Sequence, residues 1–160
     1  MLVPFETLPD NSRVWIYPSN RKFTDEEIKK LDYKLTDFLT QWNAHGSALE
    51  AGFEIKYNRF IIIGLNQNQV PASGCSIDAS VNFIQQLEKE FEVVLLDKMN
   101  VTYYSGAYIA YKPLKEFKAM AKDKAVSLKT IVFDNLVNTK AEYIENWEVQ
   151  AANSWHARFM

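Results

Sequence analysis

The 160-residue chain has a single cysteine, Cys75, so no internal disulfide can form and a disulfide-stapled scaffold is excluded. That count fits a reducing compartment, although a secreted chain can also lack disulfides. Histidine is as scarce. His45 and His156 are the only two, and neither forms a pair with Cys75 at zinc-ligand spacing, so no metal site is expected. Glycine occurs only at 46, 52, 64, 74 and 106. No two of these are five apart and no G-x-G-x-x-G is present, which excludes ATP hydrolysis by a P-loop mechanism and leaves no cofactor to expect. The aliphatic runs Ile61-Ile62-Ile63 and Val93-Val94-Leu95-Leu96 are far short of the ~20 residues that span a bilayer. The first ten residues lack a basic segment followed by an apolar one. A soluble, cytoplasmic protein with no membrane partner is the expectation. Charge of one sign is also missing. The 18 Lys+Arg against 20 Asp+Glu leave a net −2, which builds in no attraction to nucleic acid or anionic lipid.

What is present is the material of a globular core. At 48% hydrophobic and 24% charged, the chain can bury about two-thirds of its unfolded surface. No linker, repeat or low-complexity stretch interrupts it, so residues 1–160 are expected to form one domain. Arg13-Val14-Trp15-Ile16-Tyr17 reads as a strand closed by Pro18-Ser19-Asn20. Thr24-Asp25-Glu26-Glu27 is a capping box opening a helix. Its stripe is Ile28, Leu31, Leu35, Phe38, Leu39 and Trp42, with Gly46 as the expected left-handed stop and His45 as a C-capping residue. Residues 53–57 alternate as a half-buried strand, Asn58-Arg59 is a turn, and residues 60–65 read as a strand covered on both faces. A second helix is predicted from about Ser76 to Phe91, with Ile77, Val81, Ile84, Leu87 and Phe91 inward. Residues 93–96 and 101–104 look extended, and residues 108–111 fit strand or helix. Pro113 opens a third helix with Leu114, Phe117, Met120 and Ala121 inward. Thr139-Lys140-Ala141-Glu142 opens a fourth with Tyr143, Ile144 and Trp147. The order strand, helix, hairpin, helix, strand predicts an α+β fold: an antiparallel sheet with helices on one face, in a ferredoxin-like split β-α-β arrangement with added C-terminal helices.

Chemistry is best placed at Pro71-Ala72-Ser73-Gly74-Cys75-Ser76-Ile77-Asp78, which joins a strand to a helix start. Free amides and the helix dipole favour a thiolate or a bound anion there. Cys75 is the candidate nucleophile, with His45 or His156 as its base. Ser73 and Ser76 are candidate oxyanion donors, and Gly74 would admit a ligand close to the backbone. Asp78 opposes a thiolate by its own charge. The competing reading makes Cys75 a small buried hydrophobe, His45 a helix cap and His156 part of a docked tail. The closing segment is rich in Trp155, Arg158 and Phe159, residue types favoured at binding hot spots, and it docks either on this chain or on a partner.

Leu2-Val3-Pro4-Phe5, Val14-Trp15-Ile16-Tyr17, Trp42-Asn43-Ala44-His45-Gly46, Lys56-Tyr57-Asn58-Arg59-Phe60, Ser73-Gly74-Cys75-Ser76-Ile77-Asp78 and Ser154-Trp155-His156 together resemble a family of short bacterial proteins, often labelled "ABC transporter ATPase". The resemblance spans nearly the whole chain and implies no established activity or catalytic residues. The label itself implies a P-loop and a Leu-Ser-Gly-Gly-Gln-type signature. Only Ser73-Gly74 of the second is here, so the label conflicts with the residues. The expectation that follows is a non-catalytic protein that binds a small ligand or a protein partner. The alternative is a thiol-dependent enzyme or redox sensor using Cys75. RNA binding through Tyr57 and Phe60 is disfavoured by the acidic balance and the missing RNP1 pattern.

Overall fold

In a computed structural model, which describes residues 1–160, the β-branched and aromatic run near the start forms strand β1 (Arg13–Pro18). Helix α1 (Asp25–Gln41) follows. Thr24 caps it, accepting from the Glu27 amide while the Glu27 carboxylate accepts from the Thr24 amide. Arg21 grips the same carboxylate at 2.8 and 2.9 Å, which holds Glu27 well below the usual range, at about 2.

The helix does not run to Gly46. It stops at Gln41, and a small hairpin of β2 (Asn43–Ala44) and β3 (Ser47–Ala48) follows. His45 (φ +52°) and Gly46 (φ +81°) are its two-residue loop. Two consecutive positive φ values suit the right-handed twist of a tight hairpin, which is why glycine stands second. His45 is therefore a turn residue and does not cap the helix.

Strands β4 (Ala51–Lys56) and β5 (Phe60–Leu65) form the expected hairpin, turning through Tyr57-Asn58-Arg59, a loop that begins one residue earlier than the sequence suggests. Strand β5 lies between β1 and β4 and is antiparallel to both, so β1-α1-β4 is a split β-α-β unit. Gly52 of β4 is needed for a close approach: a Cβ there would lie 2.6 Å from the Val3 carbonyl oxygen. The N-terminal segment runs alongside at that point, with the Val3 amide donating to Ala51.

Helix α2 (Gly74–Phe91) covers the same face as α1. Its inward positions are Ser76, Ser80, Ile84, Leu87 and Phe91, whereas Ile77 is exposed and Val81 half-buried. The sequence stripe chose the apolar neighbours. Two serines can face inward because their hydroxyls bond locally, Ser76 to the Ser73 carbonyl and Ser80 to the Ile77 carbonyl.

Residues 93–96, read as extended, join no sheet. Side chains take three of their amides: Asn20 Oδ1 accepts from Val94, and one Glu88 carboxylate oxygen accepts from Leu95 and Leu96. The free edge of β1, where a fourth ferredoxin-like strand would lie, is instead bridged at Thr139, and the Val14 amide donates to Asn138. The chain goes on to a second antiparallel sheet. Strands β6 (Val101–Ser105) and β7 (Tyr108–Lys112), helix α3 (Leu114–Lys122), strand β8 (Ile131–Phe133), helix α4 (Lys140–Asn146) and strand β9 (Glu148–Gln150) give the order β7-β6-β8-β9.

The fold is α+β, built in layers. Period-two alternation sorts the residues of the first sheet. Tyr17, Ile61, Ile63 and Leu65 pack under α1 and α2, while Val14, Ile16, Phe60 and Ile62 face the second sheet through Phe133, Tyr143 and Trp147. On the far side of the second sheet, Val101, Tyr103 and Val132 meet Phe117 and Ala121 of α3 and the C-terminal turns. Phe60 is fully buried between the two sheets, so it has no face to offer a nucleobase. No helix is long and apolar enough to cross a membrane.

Candidate functional site

A groove of about 580 Å³ runs between α1, the β2–β3 hairpin and the start of α2. From α1 come Tyr33, Lys34, Asp37, Phe38 and Gln41, one helical face at spacings of three and four. From α2 come Cys75, Ala79, Phe83 and Gln86, again one face. The hairpin adds Asn43 and His45. The structure thus brings Cys75 and His45, thirty residues apart in sequence, to one groove.

The floor is aromatic. Phe38 and Phe83 stack across the two helices at 4.3 Å and 7°. Trp42 leans on Phe38 at 5.7 Å, and its indole Nε1 donates to the Ser76 carbonyl at 2.9 Å. That bond fixes the hairpin against the start of α2. The Lys34 ammonium lies 2.9 Å from Glu90, an exposed pair that ties the helices with little net energy. The Asp37 carboxylate accepts from Gln41 at 3.1 Å.

Cys75 is exposed. The reading that made it a buried hydrophobe is overturned, because its neighbour Ser76 occupies the inward position and turns the thiol outward. Ser73 and Ser76 form a second capping box. Ser73 Oγ accepts from the Ser76 amide, and Ser76 Oγ accepts from the Ser73 amide and donates to the Ser73 carbonyl. Ser76, 2% exposed and fully committed, is not an oxyanion donor. The uncapped amides of the first turn belong to Gly74 and Cys75. Gly74 has open space where a Cβ would stand, so no close contact within the chain requires a glycine there. Asp78 lies beyond the first turn, exposed, and does not line the groove.

His156 is not at this site. It is fully buried on the far side of the second sheet, edge-on to Phe117 at 5.8 Å and stacked on Trp155 at 3.9 Å. Its Nδ1 meets Ser154 Oγ at 2.7 Å, and its Nε2 is buried without a partner. Burial pushes its pKa down to about 4. The base role for His156 therefore falls, and its place in a docked tail holds. Trp155 packs half-buried against the core between the second sheet and α3, and Lys118 lies over Phe159 at 4.7 Å, so the tail docks on its own chain. Arg158 is exposed beside it.

Sequence reasoning missed Asp37, Tyr33, Ala79 and Phe83 as site residues. The signal was a second stripe on α2 at 75, 79, 83 and 86, hidden because the apolar stripe beside it is longer. No family model, curated protein or solved structure gives a significant match to the chain.

Proposed function

We propose that the protein binds a small amphipathic ligand in the groove between α1 and α2. The observation that carries this reading is the continuous Phe38-Phe83-Trp42 floor beneath an exposed first turn of α2. A flat apolar body fits the floor, and a negative group fits the unbonded amides of Gly74 and Cys75. Naphthalene-1-sulfonate has both parts. In an amide NMR titration it should shift Cys75, Ala79 and His45 saturably. Ala79→Trp fills the groove from an exposed helix position and should weaken binding at least about tenfold, with thermal unfolding unchanged. Shifts scattered elsewhere, or binding indifferent to Ala79→Trp, would sink the reading.

Thiol chemistry is the second reading, with Cys75 as nucleophile and His45 as base. One observation favours it: both side chains line the same groove. Because Cys75 is exposed, iodoacetamide should alkylate it in the native protein within about tenfold of the rate in denaturant. A native thiol protected a thousandfold would mean a closed groove and would count against both readings.

A further inference from the structure

Arg59 carries a charge that nothing in the chain neutralises. It is 8% exposed, yet no carboxylate forms an ion pair with it. Its Nη1 donates to the Ile109 carbonyl at 2.7 Å and its Nη2 reaches the Ser19 carbonyl only at 3.4 Å. Its Nε is buried with no acceptor at all. Buried charges in proteins are ordinarily paired, because desolvation is expensive. Two carbonyl dipoles are weak compensation for a guanidinium with five donors.

The surroundings of Arg59 point one way. It lines a cavity of about 470 Å³ at the joint between the β4–β5 turn and the β6–β7 hairpin. The other lining residues are Lys22, Tyr57, Asn58, Tyr104, Ala107, Tyr108 and Ile109. Lys22 is a second cation beside Arg59, and no acid lines the cavity. Glu148, which is near, is engaged by the Tyr57 hydroxyl. Tyr108, at 81% exposure, stands beside the opening with its ring solvated on the hairpin tip, where nothing in the fold requires an aromatic residue. A tyrosine in that position has a flat face to offer.

We propose that this cavity binds a phosphate monoester carried on a flat ring, the phosphate between Arg59 and Lys22 and the ring against Tyr108. The guanidinium and ammonium charges suit a phosphate dianion. The bound charge would complete the arginine that folding leaves unpaired. This site is separate from the groove at Cys75 and stands or falls without it.

Phenyl phosphate, inorganic phosphate and phenol are the probes, added to the intact protein and followed by amide NMR and calorimetry. Phenyl phosphate should shift Lys22, Arg59 and Tyr108 saturably and bind at least about fivefold more tightly than either fragment. Lys22→Gln should weaken phenyl phosphate and inorganic phosphate alike, by about fivefold, and raised salt should do the same. Tyr108→Ala should weaken phenyl phosphate only. Both substitutions are at exposed positions, so the fold is not at risk. Equal affinity for phenyl phosphate and inorganic phosphate, with Tyr108→Ala silent, would overturn the ring contact. No saturable shift at these residues, or binding that survives the Lys22→Gln/Tyr108→Ala pair unchanged, would overturn the site.

Discussion

Trp147→Ala should lower the unfolding free energy by about 4 kcal/mol, the largest single loss expected from this chain. Trp147 is 4% exposed at the end of α4, where the two sheets meet. Phe133, Phe60 and Tyr143 surround it with ring centroids at 4.8, 4.9 and 5.1 Å. Its indole Nε1 donates to Asn135 Oδ1 at 2.9 Å, and Asn135 Nδ2 in turn donates to Thr102 Oγ1 at 3.0 Å. Truncation leaves a cavity and an unsatisfied buried amide oxygen together. Trp147→Phe keeps a six-membered ring and gives up the pyrrole part with its hydrogen bond, so about 2 kcal/mol should separate the two variants. Chemical denaturation of both checks this. A loss under about 1 kcal/mol for Trp147→Ala would show that the sheets do not depend on this contact.

Acid should weaken the fold in a window set by His156. An unfolded histidine titrates near ~6.5. Burial lowers the folded group to about 4. Between those values the unfolded chain holds a proton that the native chain does not, so stability falls as pH falls. The full effect is about 3 kcal/mol, present as stability above pH ~6.5 and lost by about pH 4. Glu27 acts in a lower window. Its folded value of about 2 lies below that of an ordinary glutamate, so its contribution is lost only as pH drops further. His156→Gln should flatten the profile between pH ~4 and ~6.5 while leaving the more acidic limb in place. Denaturant midpoints across that range decide it, and parallel curves for the two proteins would refute the assignment to His156.

Local signals carried far in this chain. The Thr24 box, the alternation of β4, the continuous apolar run of β5 and the Phe117 stripe of α3 each have a short-range cause, and each stands where its residues put it. Other elements escaped for specific reasons. Strands β8 and β9 are three residues each, too short for alternation to register. Residues 93–96 have strand composition but find Glu88 and Asn20 instead of a sheet edge. Thr139 caps α4 through its hydroxyl, yet Glu142 bonds that hydroxyl and does not close the box on the backbone.

The same division runs through the sites. Sequence alone determined that a helix starts near Ser76, that His156 sits in an aromatic segment, that no P-loop motif is present and that the fold is α+β. Those properties follow from spacing, capping and composition, which act within a few residues. Only the tertiary structure decided that Cys75 faces out, that His45 and not His156 shares its groove, that Ser76 is spent on a cap, and that Arg59 is buried without a counterion. Each depends on which face of an element meets which neighbour across the layers. Burial and pairing are properties of that meeting, and residues far apart in the chain set them together.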